Sequence, residues 1–327
     1  MTFGPMGNPD EDEGVRIIHR ALDAGINFID TADVYSRGRS EEIVGRALKG
    51  RRDEVVLATK VHGRMGNDPN MRGNSRRWIV REIEESLRRL GTDHVDLYQL
   101  HRPDPDTDLE ETLEALTDLV RQGKVRAVGT SAFPAWQLVE TQWIAERRGL
   151  VRPRCEQCSY SIIVRAAERG VFPVALRYGM GVIVYSPLAG GWLTGKYRRG
   201  EEPPAGSRMA RSGSMGGRFA PRFDQSRPEV QHRYDVVDAL ARLADKAGIA
   251  LTHLALAFTV AHPAVTSAII GPRTLEQLED LLAGADLRLD ADVLDAIDEV
   301  VPPGTLLDEA DRGWEPPWMA AEARRQA

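Results

Sequence analysis

Apolar and polar residues along this chain follow two periods that trade places at regular intervals. Short apolar runs over residues 26–30, 55–60, 95–101, 125–131, 154–159, 181–186 and 266–271 predict seven strands. Between them, apolar positions recur every three or four residues, as on one face of a helix. Ile79, Ile83, Leu87 and Leu90 form such a stripe, which Ser75 can cap and Gly91 can stop. Leu109, Leu113, Leu116 and Val120 form another that ends at Gly123. Ile17, Ile18, Ala21 and Leu22 form a third, before Gly25. Strand and helix patterns in steady alternation predict βα units and a parallel sheet.

The expected fold is therefore α/β, a (β/α)8 TIM barrel in one domain over residues 1–327, with its first strand missing or truncated. The fragment Met1-Thr2-Phe3-Gly4 reads as the tail of that strand. The competing explanation is a barrel that is simply incomplete, but its open edge would expose unpaired backbone groups. One segment, 198–228, breaks the alternation and is rich in Arg, Gly, Pro and Ser. It follows the strand at 181–186, so it is expected as a long loop over the cofactor face. Arg198, Arg199, Arg208, Arg211, Arg218, Arg222 and Arg227 stand there against Glu201, Glu202 and Asp224. They suit either a cover over phosphates or a solvated loop that orders on binding.

Three successive strands end on titratable residues, Asp30, Lys60 and His101, and Tyr35 lies five residues past the first. Burying such groups is costly unless they pair, and the carboxyl ends of barrel strands are where chemistry is done. A Tyr beside a buried Lys is a candidate general acid, because an ammonium favours the phenolate. Lysine is scarce: Lys49, Lys60, Lys124, Lys196 and Lys246 are the five among 43 basic residues, so one that closes an apolar strand asks for a reason.

The formal net charge of −6 argues against a general polyanion binder, so no nucleic-acid partner is expected. No apolar run reaches the roughly 18 residues a bilayer span takes, and no leader precedes the first helix, so no membrane partner and a cytoplasmic location are expected. Cys155 and Cys158 make a lone C-x-x-C in a strand-like run, without the second ligand pair a zinc site needs; they are expected as free structural thiols, and no metal is expected. Gly190 to Lys196 nearly matches a phosphate-binding P-loop, but Tyr197 stands where Ser or Thr should hold magnesium. No G-x-G-x-x-G follows a strand, which argues against a dinucleotide-binding Rossmann domain. His19, His94, His232 and His253 show no ligand spacing.

The chain resembles the aldo-keto reductases. The motifs that carry the resemblance are Phe28-Ile29-Asp30-Thr31-Ala32-Asp33-Val34-Tyr35, Ser40-Glu41-Glu42-Ile43-Val44-Gly45, Ala58-Thr59-Lys60, Ser86-Leu87-Arg88-Arg89-Leu90-Gly91, Asp96-Leu97-Tyr98-Gln99-Leu100-His101, Gly129-Thr130-Ser131, Tyr185-Ser186-Pro187-Leu188 and Ile270-Gly271. The long loop and Leu193-Thr194-Gly195-Lys196-Tyr197 are similar to the longer-loop branch related to potassium-channel beta subunits.

The resemblance implies a barrel that binds NADPH across its strand ends and reduces a small-molecule carbonyl substrate. Tyr35 would be the general acid, Lys60 would lower its pKa, Asp30 would pair with Lys60, and His101 would orient the carbonyl oxygen. Ser131 and Gln157 would hold the nicotinamide carboxamide, with Tyr185 stacked on the ring and Ser186 and Leu188 beside it. Gly271, Arg273, Gln277 and Asp280 would sit at the adenosine end, Arg273 on the 2′-phosphate. The chain departs from its relatives at Ala132 and Leu281, where Asn is frequent; at Ala132 one carboxamide hydrogen bond is expected to be lost or replaced by water, at a cost of about 1 kcal/mol in cofactor affinity. Two other readings stand beside this one: a Schiff-base lyase using Lys60, and a nicotinamide-binding regulatory or interaction protein with little turnover. The substrate, with Trp192, Trp314 and Trp318 as candidate wall residues or mere packing aromatics, and the oligomeric state are not readable.

Overall fold

A computed structural model describes residues 2–212, 220–319 and 323. Seven strands run in one sheet in chain order: β1 (Phe28–Asp30), β2 (Val56–Val61), β3 (Val95–Leu100), β4 (Val125–Ser131), β5 (Cys155–Ser159), β6 (Gly181–Tyr185) and β7 (Ser267–Ala268). Strands β1 to β5 pair in parallel, each with the next. Helices α1 (Glu11–Asp23), α2 (Arg39–Leu48), α3 (Arg76–Leu90), α4 (Leu109–Arg121), α5 (Ala135–Arg148) and α6 (Val171–Tyr178) fall before and between them. Helices α7 (Pro228–Ala247) and α8 (Leu251–Ala261) precede β7, and α9 (Leu275–Ala283) and α10 (Ala291–Val300) follow it. This is the topology of a (β/α) barrel with seven strands among the described residues.

The caps are those the sequence marks. The Ser75 hydroxyl accepts from the Trp78 amide at the start of α3, and Gly91 ends it in the left-handed region at φ 65°. Helix α1 starts earlier than its apolar stripe, because Asp10 caps it and Glu11, Asp12 and Glu13 fill its first turn. The outer strands are shorter than their apolar runs: β1 begins at Phe28, and β7 keeps two residues of the run at 266–271. Phe3 does not sit in a strand; it bridges Asn8, whose amide donates to the Thr2 carbonyl at 2.8 Å.

By packing, the chain forms two compact units. One comprises residues 1–157, 173–183 and 269–283. Its core includes a layer of Ala58, Leu97, Cys155 and Ile183 with Phe28, Ala127 and Ile269 against it. Side chains alternate faces along a strand, so Asp30, Lys60, Gln99 and Gln157, each two positions beyond a member of that layer, rise on the same face one layer higher. The register sets them side by side: Lys60 opposite Gln99, Gln99 opposite Gly129, and Ser131 opposite Gln157. Gly129 makes room, since a Cβ there would lie 3.2 Å from Gln99 Cγ.

The second unit comprises residues 158–172, 184–268 and 284–327. Its interior is aromatic: Tyr160 packs edge-on to Phe172 at 4.9 Å, and buried Trp192 packs against Tyr197, Tyr234 and Phe223. Trp192 is thus a core residue rather than a wall of an open site. Several arginines of the 198–228 segment are held by carboxylates, Arg199 by Asp235, Arg222 by Asp311 and Arg227 by Asp308. Arg218 lies outside the described residues.

Candidate active site

The turn after β1 delivers Tyr35. The Thr31 amide donates to the Ala58 carbonyl at 2.9 Å and the Asp33 amide to the Lys60 carbonyl at 3.1 Å, so the end of β2 anchors the turn. Just past Tyr35, Ser36 and Arg37 take left-handed backbone at φ 50° and 53°. Ala132, Ser186 and Ala189 do the same, next to or among the residues singled out from the sequence. Strained non-glycine backbone of this kind concentrates at functional sites.

Lys60 is fully buried, and its ammonium donates to Asp30 Oδ2 at 2.5 Å and to the Thr31 carbonyl at 2.8 Å. The same ammonium lies 5.0 Å from the centroid of the half-buried Tyr35 ring. Tyr35 Oη is 3.5 Å from His101 Nε2, with the two rings edge to face at 82°. Asp30 is braced from behind: its Oδ1 accepts from Gln157 Nε2 at 2.8 Å and from Gln99 Nε2 at 3.2 Å. The carboxylate therefore faces three donors and is fixed in one orientation.

Burial lowers the pKa of Lys60, but Asp30 and Tyr35 outweigh it, and Lys60 stays charged with its pKa raised. Burial also dominates at Tyr35, and here it wins: the phenol is raised despite the pull of Lys60. Lys60 does act in the direction the sequence implies, yet it offsets desolvation rather than carrying the phenol below its ordinary value. His101 is driven well below the usual histidine range by burial, then by the charges of Lys60 and Arg102, and is neutral at pH 7.

Of the remaining sequence-marked residues in this unit, Ser131 is buried at the end of β4 and Gln157 within β5, and Ser131 Oγ is 3.4 Å from Arg102 Nη1. Gly271, Arg273, Gln277 and Asp280 gather around the start of α9, where the Arg273 amide donates to Gln277 Oε1 at 2.9 Å. Tyr185, Ser186 and Leu188 lie in the second unit; Ser186 lines a small cleft there with Gly190, Arg208 and Arg222. Cys155 and Cys158 are buried, and neither is in a disulfide.

Three residues were not marked as site residues. Gln99 braces Asp30, and its place opposite Lys60 on the polar layer could have been read from the strand alternation. Arg102 directly follows His101 and donates to its carbonyl at 2.6 Å. Glu156 is fully buried on the opposite face of β5, where Thr130 Oγ1 is 2.5 Å from its Oε2 and the Phe133 amide donates to its Oε1 at 3.1 Å. Burial pushes the Glu156 carboxyl up to about 8, so it is mostly protonated at neutral pH.

The strand ends of this parallel α/β chain bring Asp30, Lys60 and His101 together, with half-open Tyr35 beside them and Lys60 locked in an ion pair with Asp30. The chain belongs to the aldo/keto reductase family, whose family model matches residues 1–302. It is 40% identical over 323 residues to the "uncharacterized oxidoreductase YrpG" of Bacillus subtilis (strain 168), covering 95% of this chain and 93% of that one. It is 35% identical over 309 residues to the "putative voltage-gated potassium channel subunit beta" of Schizosaccharomyces pombe, covering 92% and 87%. It is 32% identical over 314 residues to versiconal hemiacetal acetate reductase of Aspergillus parasiticus, covering 90% and 88%.

Proposed function

We propose that the protein is an NADPH-dependent reductase of aldehydes or ketones, and that its site works in the cytoplasm. A reduced nicotinamide supplies a hydride when bound. Ser131 and Gln157 would hold its nicotinamide end and Gly271, Arg273, Gln277 and Asp280 its adenosine end. The donor set fits such a group, since Ser131 and Gln157 carry polar side chains on adjacent strands, one residue opposite the other. The carbonyl oxygen sits between Tyr35 Oη and His101 Nε2. Neutral His101 donates a hydrogen bond to it, and Tyr35 gives it the proton. Charged Lys60 stabilises the phenolate left behind, and Asp30 keeps Lys60 charged and in place.

The observation that carries this reading is the Lys60–Asp30 pair at 2.5 Å with the Tyr35 ring 5.0 Å from the same ammonium. It also speaks against a Schiff-base lyase, which needs a neutral amine. A second reading, a nicotinamide-binding regulatory protein with slow turnover, is favoured by the similarity to a channel beta subunit.

The test is a fluorescence titration with NADPH and NADH, followed by turnover of 4-nitrobenzaldehyde. The expected result is saturable binding that favours NADPH, with Tyr35→Phe binding normally but losing 100-fold to 10,000-fold in kcat, the range for a general acid. Binding without turnover of any aldehyde would support the regulatory reading. No binding of either nucleotide would sink both.

A further inference from the structure

The charges around the Tyr35 hydroxyl do not cancel. Lys60 and Asp30 neutralise each other, and His101 and Glu156 are neutral at pH 7. Arg102 remains. It is half-buried and close enough to act electrostatically on Tyr35, His101, His62 and Glu156. Its Nη1 donates to the His101 carbonyl at 2.6 Å and lies 3.4 Å from Ser131 Oγ, which pins the side chain beside the site. Its Nε and Nη2 make no hydrogen bond among the described residues, and no carboxylate there lies within ion-pair distance.

That is unusual in this protein. The buried arginines Arg89, Arg165 and Arg233 each hold one or more carboxylates. The nearby Asp104 is occupied instead by the Asn74 amide at 2.7 Å and the Thr107 hydroxyl at 2.8 Å. A guanidinium taken partly out of water, held by one nitrogen and left with its Nε–Nη2 edge unused, has the shape and charge of a carboxylate receptor. Nothing else in the cluster would reward an anionic ligand.

We propose that Arg102 determines substrate specificity by binding a carboxylate on the substrate, so that the preferred substrates are carbonyl compounds that carry a carboxylate near the aldehyde or ketone. The proposal rests on the reductase reading for its substrate, though not for the anion site itself. Arg102 takes the carboxylate through Nε and Nη2, while Tyr35 and His101 take the carbonyl oxygen.

The experiment compares kcat/KM for 3- and 4-formylbenzoate with their uncharged methyl esters, in the wild type, Arg102→Gln and Arg102→Lys. The readout is the acid-to-ester ratio within each protein, which a general loss of activity or folding does not move. The expected wild-type ratio is at least ten for one isomer, falling to about one in Arg102→Gln and intermediate in Arg102→Lys. A wild-type ratio near or below one for both isomers, or a ratio that survives in Arg102→Gln, overturns the proposal while leaving the reductase reading intact. If no aldehyde is turned over, calorimetric titration with benzoate, with benzamide as control, decides instead. Benzoate binding lost in Arg102→Gln then supports the anion site although the reductase reading has failed. Absent or unchanged benzoate binding overturns it.

Discussion

Gln157 donates to Asp30 Oδ1 at 2.8 Å across 127 residues of chain. The contact ties β5 to β1 on the same carboxylate that holds Lys60, so the ion pair is the centre of a four-strand polar layer rather than an isolated bridge. Removing one member leaves the other charge buried without compensation, which costs about 3–5 kcal/mol. Lys60→Met is therefore expected to lose stability in that range by urea denaturation, and Asp30→Asn likewise. The double variant Lys60→Met/Asp30→Asn should be more stable than the sum of the two losses predicts. Strict additivity would show that the pair is not coupled.

The pH dependence of turnover follows from the direction of two shifts. A histidine held well below its ordinary range stays neutral from weakly acidic pH upward, and a phenol raised above its ordinary value keeps its proton well into alkali. Profiles of kcat/KM against pH should therefore lack the limb near 6.5 that an ordinary histidine gives. A limb at that pH, abolished in His101→Gln, would refute the neutral imidazole.

Much of this site was legible because strands alternate. Asp30, Lys60 and His101 close apolar runs, and a period of two puts Gln99 and Gln157 on the same face as Asp30 and Lys60. What alternation leaves open is what covers the other face. Glu156 looks like an ordinary polar residue in a strand until Thr130 and the turn at Phe133 are seen to enclose it. Arg102 reads as a loop charge because the absence of a partner is a property of the surroundings, not of the residue. The carboxylates that hold three arginines of 198–228 are equally hidden from the sequence: Asp235, Asp308 and Asp311, which hold Arg199, Arg227 and Arg222, are remote in sequence and belong to no motif. Strand ends were overrun at β1 and β7, where apolar residues continue past the last ladder hydrogen bond into the core.

Glu156 gives the folded protein a pH-dependent weakness. Its carboxyl titrates at about 8 in the folded chain against an ordinary value of 4.5, so between those pH values the folded state binds more protons than the unfolded one. Stability conferred by the protonated carboxyl is complete below about pH 4.5 and drains away as pH rises towards 8, by an amount on the order of a few kcal/mol. Glu156→Gln mimics the protonated form and should flatten this segment of the stability curve. Denaturation of both proteins at pH 5.5 and 8.5 checks it. Parallel curves would mean that Glu156 is ionised throughout.

In the second unit, Arg233 does for the carboxyl-terminal segment what Lys60 does for the site. It is buried, and its guanidinium donates to Asp311 at 2.6 Å, to Asp308 at 3.2 Å and to the Arg222 carbonyl at 3.1 Å. Arg227 adds a second cation to Asp308 at 3.0 Å, and Arg222 one to Asp311 at 3.2 Å. Asp308 is thus shared by two arginines, and residues 308–311 are latched to α7 by charge. Removing Arg233 leaves Asp311 on Arg222 alone, while Asp308 keeps Arg227. Arg233→Met should therefore lower stability by about 3 kcal/mol or more and raise amide exchange at residues 304–312 ahead of the rest of the chain. Arg227→Met, whose guanidinium is more open to solvent, should cost less. Exchange measured by mass spectrometry separates the cases: equal protection of 304–312 in Arg233→Met and the wild type would show that the latch is held by packing rather than by charge.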